Sequence, residues 1–133
     1  MKRKNSIYII HDAAAATGIN GKVIDISDAD HIKLQVSTSG STTATIKVYG
    51  AITETAPDFT SAASISNEYS PLELVNNADQ TDIKTGDTGI AYTGTDSVQN
   101  FAVNVDNFKW LVINITAYTQ GNINTKLLLT TLQ

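Results

Sequence analysis

Two histidines, His11 and His31, are the only side chains in this chain whose ordinary pKa lies near neutrality, so general acid–base chemistry would have to be built around one of them. Neither stands in a recognisable motif. Ten Ser and ten Asp are available to complete a Ser–His–Asp arrangement, but there is no G-x-S-x-G and no oxyanion-loop pattern. The eight glycines are spread through turns, and none forms a Gly-rich loop ahead of Lys and Ser or Thr, so no phosphate cradle is encoded. No two carboxyls are marked as flanking a cleft, which a glycosidase would need. The expectation is a protein that is not an enzyme and carries no cofactor.

Two acidic stretches offer oxygen ligands for a hard cation: residues 25–31, with Asp25, Asp28 and Asp30, and residues 79–82, with Asp79 and Asp82, followed by Asp87. Neither supplies the spaced Asp set, the Gly and the final Glu of an EF-hand loop. Asp in turns usually bonds its own backbone, so both are expected to be structural turns and no metal is expected. With no Cys there is neither a disulfide nor a thiolate site.

What remains is contact chemistry. Lys2, Arg3 and Lys4 form the single basic cluster; a solvated tail is the ordinary reading, and a contact with an acidic patch on a neighbour is the sharper one. Trp110 with Tyr8, Tyr49, Tyr69, Tyr92 and Tyr118 could supply a stacking platform. By strand parity Trp110 and Tyr118 share the side of Val112, opposite Leu111, which in a two-sheet domain faces outward. Exposed aromatics mark a ligand surface or a subunit interface. The candidate assembly or ligand contacts are therefore Lys2, Arg3, Lys4, Tyr49, Trp110 and Tyr118.

The elements that must position these groups are strands. Residues 101–105, 111–117 and 123–129 alternate apolar and polar positions with polar turns between them, the pattern of a β-meander with one buried face. Residues 32–36 and 44–48 alternate in the same way about the small, polar stretch 38–42, which has the composition of a hairpin loop. Asp106 and Asn107 fit a tight turn, as do Gln120 and Gly121. Ile83, Ile90 and Tyr92 look like core anchors of a turn-rich segment, and residues 58–63 could form one helical turn within a long excursion over 53–70. Residues 1–22 read as an N-terminal arm, or a first strand with a loop, ahead of a domain at 23–133.

Composition agrees with this reading. The 133 residues suit one domain with one core. Charged residues are 17% of the chain against a globular average of about 25%, so neutral polar groups must cover the surface, and 18 Thr, 11 Asn and 10 Ser supply them. Thr sits well on the solvent face of a sheet. A net charge of −4 argues against a general nucleic-acid binder. The apolar run 7–10 is cut by His11 and Asp12 before it reaches the length of a signal h-region, and no run approaches a bilayer span. The fold expected is all-β: a single-domain antiparallel β-sandwich of about eight or nine short strands, jelly-roll or immunoglobulin-like Greek key.

The stretch 86–90 (Gly-Asp-Thr-Gly-Ile) leading to 101–105 (Phe-Ala-Val-Asn-Val), then 108–117, led by Phe108 and Trp110 and ending in Thr116 and Ala117, then 121–125 (Gly-Asn-Ile-Asn-Thr), resembles small all-β virion proteins of tailed bacteriophages. The similarity covers most of residues 23–132 and lies in strand order and style. It implies a virion location and a structural role as a capsid decoration or minor capsid protein. The implied partners are other capsid or tail subunits and further copies of the chain in a homo-oligomer, without nucleic acid, membrane or small-molecule ligand. Two other readings stay open: a tail, baseplate or fibre module contacting the host, and a carbohydrate-binding sandwich using Trp110 and nearby tyrosines.

Overall fold

The computed structural model describes residues 2–105 and 108–132; the turn expected at Asp106 and Asn107 lies outside the described residues. Nine strands and one short helix follow in the order β1 (Arg3–Ala14), β2 (Ile24–Asp25), β3 (His31–Ala51), α1 (Ala62–Asn67), β4 (Ser70–Pro71), β5 (Leu74–Asn76), β6 (Ile83–Lys84), β7 (Ile90–Tyr92), β8 (Val98–Val103) and β9 (Trp110–Leu132). All nine belong to one antiparallel sheet. The all-β, single-domain expectation stands.

Two strands differ from the short ones expected. β3 runs for 21 residues and β9 for 23, and they pair with each other from His31↔Thr130 to Ala51↔Trp110. The stretch 38–42 is therefore not a hairpin loop, and Gln120–Gly121 does not reverse the chain. Both strands instead turn a corner side by side, where the register jumps from Ser39↔Asn122 to Thr43↔Gln120. The corner is possible because Gly40 (φ 83°), Ser41 (φ 55°) and Gly121 (φ 98°) adopt left-handed backbone, and because a Cβ on Gly121 would run into Thr42. The freed N–H groups of Ser41 and Thr42 donate to the Asp96 carboxylate at 3.1 and 3.2 Å, and the Gln120 side chain donates to the Ser41 carbonyl at 2.7 Å.

The corner folds the sheet onto itself. One layer is β1, β9 (122–132), β3 (31–39), β8, β5 and β6; the other is β2, β9 (110–120) and β3 (43–51), with β4 and β7 along β3. The expected meander is corrected accordingly: residues 101–103 pair with β3, not with 111–117. Alternation then does its work in both halves. Ile32, Leu34 and Val36 from the first layer, and Ala44, Ile46, Val48, Leu111, Ile113 and Ile115 from the second, join a single core with Phe101, Ile123 and Leu127. Ile90 and Tyr92 anchor as expected, but Ile83 is 49% exposed because its two-residue strand lies at the sheet edge with its side chain on the outer side. The helix falls at 62–67, a few residues beyond the expected turn, and no helix of the described residues is long and apolar enough to cross a membrane.

Candidate functional site

The expected aromatic surface is dismantled by the packing. On the outer side of the second layer, Ala51, Tyr69 and Val112 are fully buried and form a satellite cluster with Ile19, Val23, Tyr49, Phe59 and Trp110. The excursion 52–69 and the segment 18–25 fold over that face. Phe59 sits between Tyr49 (centroids 5.6 Å apart) and Tyr69 (5.1 Å, edge-on), and the Tyr69 hydroxyl donates to the Pro57 carbonyl at 2.8 Å. Burial raises the pKa of both tyrosines. Trp110 donates its indole N–H to the Thr53 carbonyl at 2.9 Å, and Lys109 lies 5.3 Å over its ring while donating to the Glu54 carbonyl. Trp110 is a clasp for the excursion.

Tyr118 is on the other side altogether. Ile46 faces Ile115 and Thr45 faces Ala117, so Thr116 is an extra residue, a bulge that flips the parity beyond it. Tyr118 therefore turns toward the core opposite Ala44, and its hydroxyl donates to the Gly121 carbonyl at 2.7 Å, tying down the corner. Tyr49 and Trp110 share the covered satellite cluster, and Tyr118 lies apart from them against the main core. Lys2, Arg3 and Lys4 are exposed at the head of β1.

The acidic stretches resolve into repeated local turns. Asp25, Asp58 and Asp79 each accept, through Oδ1, both the backbone N–H and the hydroxyl of the residue two places on: Ser27, Thr60 and Thr81. Those bonds, the hydroxyl's first, hold all three carboxyls below the usual carboxylate range. Asp82 is lowered by Asn76 and by Lys84, whose Nζ lies 3.0 Å away. Among the described residues no group of three or more metal-ligating side chains converges.

His11 is a buried structural hinge of the N-terminal strand. Its backbone N–H donates to Thr125 Oγ1 at 3.1 Å, its Nδ1 lies 2.8 Å from the same oxygen, and its Nε2 lies 3.0 Å from the Gly18 carbonyl. The neutral ring, with Nε2–H donating to Gly18 and Nδ1 accepting from the Thr125 hydroxyl, satisfies all three bonds, and burial favours it over the charged ring. Burial lowers the imidazole pKa, with the Gly18 bond pulling the other way. His31, by contrast, is exposed at the start of β3.

Among the described residues, the outer side of the first layer is left without a cover. Register sets its rows: Ile7, Leu128, Lys33, Ala102, Val75 and Ile83 follow one another across six strands, and Ile9, Lys126, Gln35 and Asn100 form the next row. Val98 stands beyond, opposite Ser37. Ile7, Ile9 and Val98 are 68, 59 and 64% exposed. Two shallow hollows of about 290 and 350 Å³ lie on this face beside Ile7 and Ile9. Arg3, Lys33 and Lys126 give it a basic character in a chain of net charge −4, with Asp12 at its far end. Such a flat mixture of apolar and basic positions can bind a surface. A more polar groove of about 470 Å³ opens where Lys4 and Tyr8 face Asp25, Asp28 and Asp30. Ile7, Ile9 and Val98 were not among the sequence candidates, since alternation alone does not say which layer's outer face is left bare.

No family model matches the chain, and no curated protein matches it in sequence. Two solved structures share its fold. The SPBc2 prophage-derived protein YomS superposes with a TM-score of 0.67 at 15% identity, over 98% of this chain and 96% of that one. The PBSX exported protein XepA superposes with a TM-score of 0.70 at 17% identity, over 98% of this chain; the chain spans 39% of XepA's length. At these identities the likeness is one of fold, and one of the two proteins that share it is prophage-derived.

Proposed function

We propose that the chain is a non-enzymatic structural protein of a bacteriophage virion, of the capsid decoration or minor capsid type, acting through protein–protein contacts. The observation that carries the reading is the uncovered outer face of the first layer, with Ile7, Ile9 and Val98 exposed on a flat basic sheet, in a fold shared with a prophage-derived protein. Shells of repeated subunits suit this chemistry, because many weak copies attach strongly. A homo-oligomer fits the same surface. The partners are other capsid or tail subunits, and neither a cofactor nor nucleic acid is needed.

A tail, baseplate or fibre role differs only in where on the particle the face docks. The carbohydrate reading loses support, since Trp110 spends its indole N–H on Thr53 and its ring under Lys109. The experiment is to purify, on a density gradient, particles produced by the phage that carries the gene and to quantify the chain by mass spectrometry. A fixed copy number per particle is the expected result. A chain found only in the soluble lysate overturns the reading.

A further inference from the structure

Every sheet has edges, and natural edges are blunted by being short, bulged, charged or proline-bearing. Here β6, β2 and β4 are two residues long and β7 is three. β1 is the exception in length: it ends the strand order, runs for 12 residues with charges at Arg3, Lys4 and Asp12 toward its two ends, and has no strand of the described residues on its outer edge. Between Arg3↔Leu132 and Ile9↔Lys126 it pairs with β9 without a break. Its first irregularity comes at Ile10, beyond that stretch, where Asn20 Nδ2 donates to the Ile10 carbonyl at 2.9 Å. The regular stretch contains no Pro, and Ile7, Tyr8 and Ile9 stand exposed on it.

We propose that this edge pairs antiparallel with β1 of a second copy, about a two-fold axis through Ile7. The inference rests on the assembly reading above and names its contact. With the axis at Ile7, residues that meet lie on the same face: Ile7 meets Ile7, Ser6 meets Tyr8 and Asn5 meets Ile9. Past the extra residue Ile10, His11 comes opposite Lys4 and Asp12 opposite Arg3. The symmetry makes the Arg3–Asp12 contact twice, once at each end. A parallel alignment would set residues 2–4 of both copies against each other, three cations on three, which cross-strand pairing penalises. The row through Ile7 then continues into the same row of the second molecule, and the interface is isologous. A strand pair of this length buries less than the roughly 1,200 Å² of a standard interface, so the dimer is weak alone and effective where copies are crowded.

The absence of Cys makes the test direct. Facing positions of an antiparallel pair lie about 4.5–5.5 Å apart at Cα, within disulfide range. Under mild oxidation Ile7→Cys should give a covalent dimer several times faster than Ile9→Cys, whose mate is Asn5, or Ile52→Cys, which is 73% exposed elsewhere. In sedimentation at rising concentration, Arg3→Asp and Asp12→Arg should each weaken self-association, and the double variant should restore it. Equal cross-linking at the three positions overturns the proposal. If the native chain self-associates while Ile7→Cys stays uncross-linked, this interface falls and the assembly reading survives. A native chain monomeric at the highest soluble concentration also overturns it, and leaves the edge to a strand from a different protein.

Discussion

The two outer faces of the sandwich are made by the same two strands, β3 and β9, before and after one corner, yet Val112 on one is fully buried and Ile9, on the strand beside β9 on the other, is 59% exposed. The difference is what the connections do. Over the second layer the 52–69 excursion and the 18–25 segment supply Phe59, Tyr69, Ile19 and Val23 as a lid, clasped by Trp110. Over the first layer no connection of the described residues crosses. A sheet face with apolar residues and no internal cover is where another molecule is expected, and that contrast is the physical basis of the functional reading.

The comparison can be attacked from the shared inner face outward. Ile113→Ala empties a fully buried site between the layers and should cost about 2–5 kcal/mol, read as a lower urea midpoint; an unchanged midpoint would mean the layers do not meet there. Val112→Ala removes two buried carbons under the lid and should cost about 1.6 kcal/mol at roughly 0.8 per carbon. If it costs nothing, the lid is not packed.

His11 sharpens the same contrast, since it ties the bare layer's first strand to Gly18 of the covering segment. Its folded pKa lies below 6.5, so at pH below 6.5 the unfolded chain binds more protons and stability falls, by at most about 1.4 kcal/mol per pH unit. The contribution is complete above pH 6.5 and is lost as pH drops toward the folded value. The lowered Asp25, Asp58, Asp79 and Asp82 act the same way in a separate, more acidic window, below about 3.8. Melting temperature followed from pH 7.5 to 4.5 should decline in the native chain, and His11→Gln should flatten that limb; a flat native profile contradicts the buried neutral ring. Ile9→Ala, the uncovered counterpart of Val112, should shift stability by no more than about 0.5 kcal/mol. A larger loss in dilute solution would mean the first layer is covered after all.

Much of this was legible before the structure. Alternation at 32–36, 44–48 and 111–115 identified the inward residues correctly, because burial on one face is a local, period-two signal. The corner was not legible. Residues 38–42 are small, polar and glycine-bearing, which permits left-handed backbone but does not say whether the chain reverses or bends onward beside a partner that bends with it. Tyr118 was misplaced by a single extra residue, Thr116, which carries no composition cue. Trp110 was assigned to the correct side of β9, but the cover over it is a tertiary fact supplied by residues some 40–60 places away. Asp96, which holds the corner's N–H groups, has nothing in its neighbourhood to mark it.

The most direct test is amide hydrogen exchange of the native chain at low and high concentration, resolved to the segments 3–9 and 52–69. The account predicts that protection of 3–9 rises with concentration while 52–69, already under its own clasp, does not change. Protection that rises over 52–69 and leaves 3–9 exchanging freely would place the contact on the wrong face and contradict it.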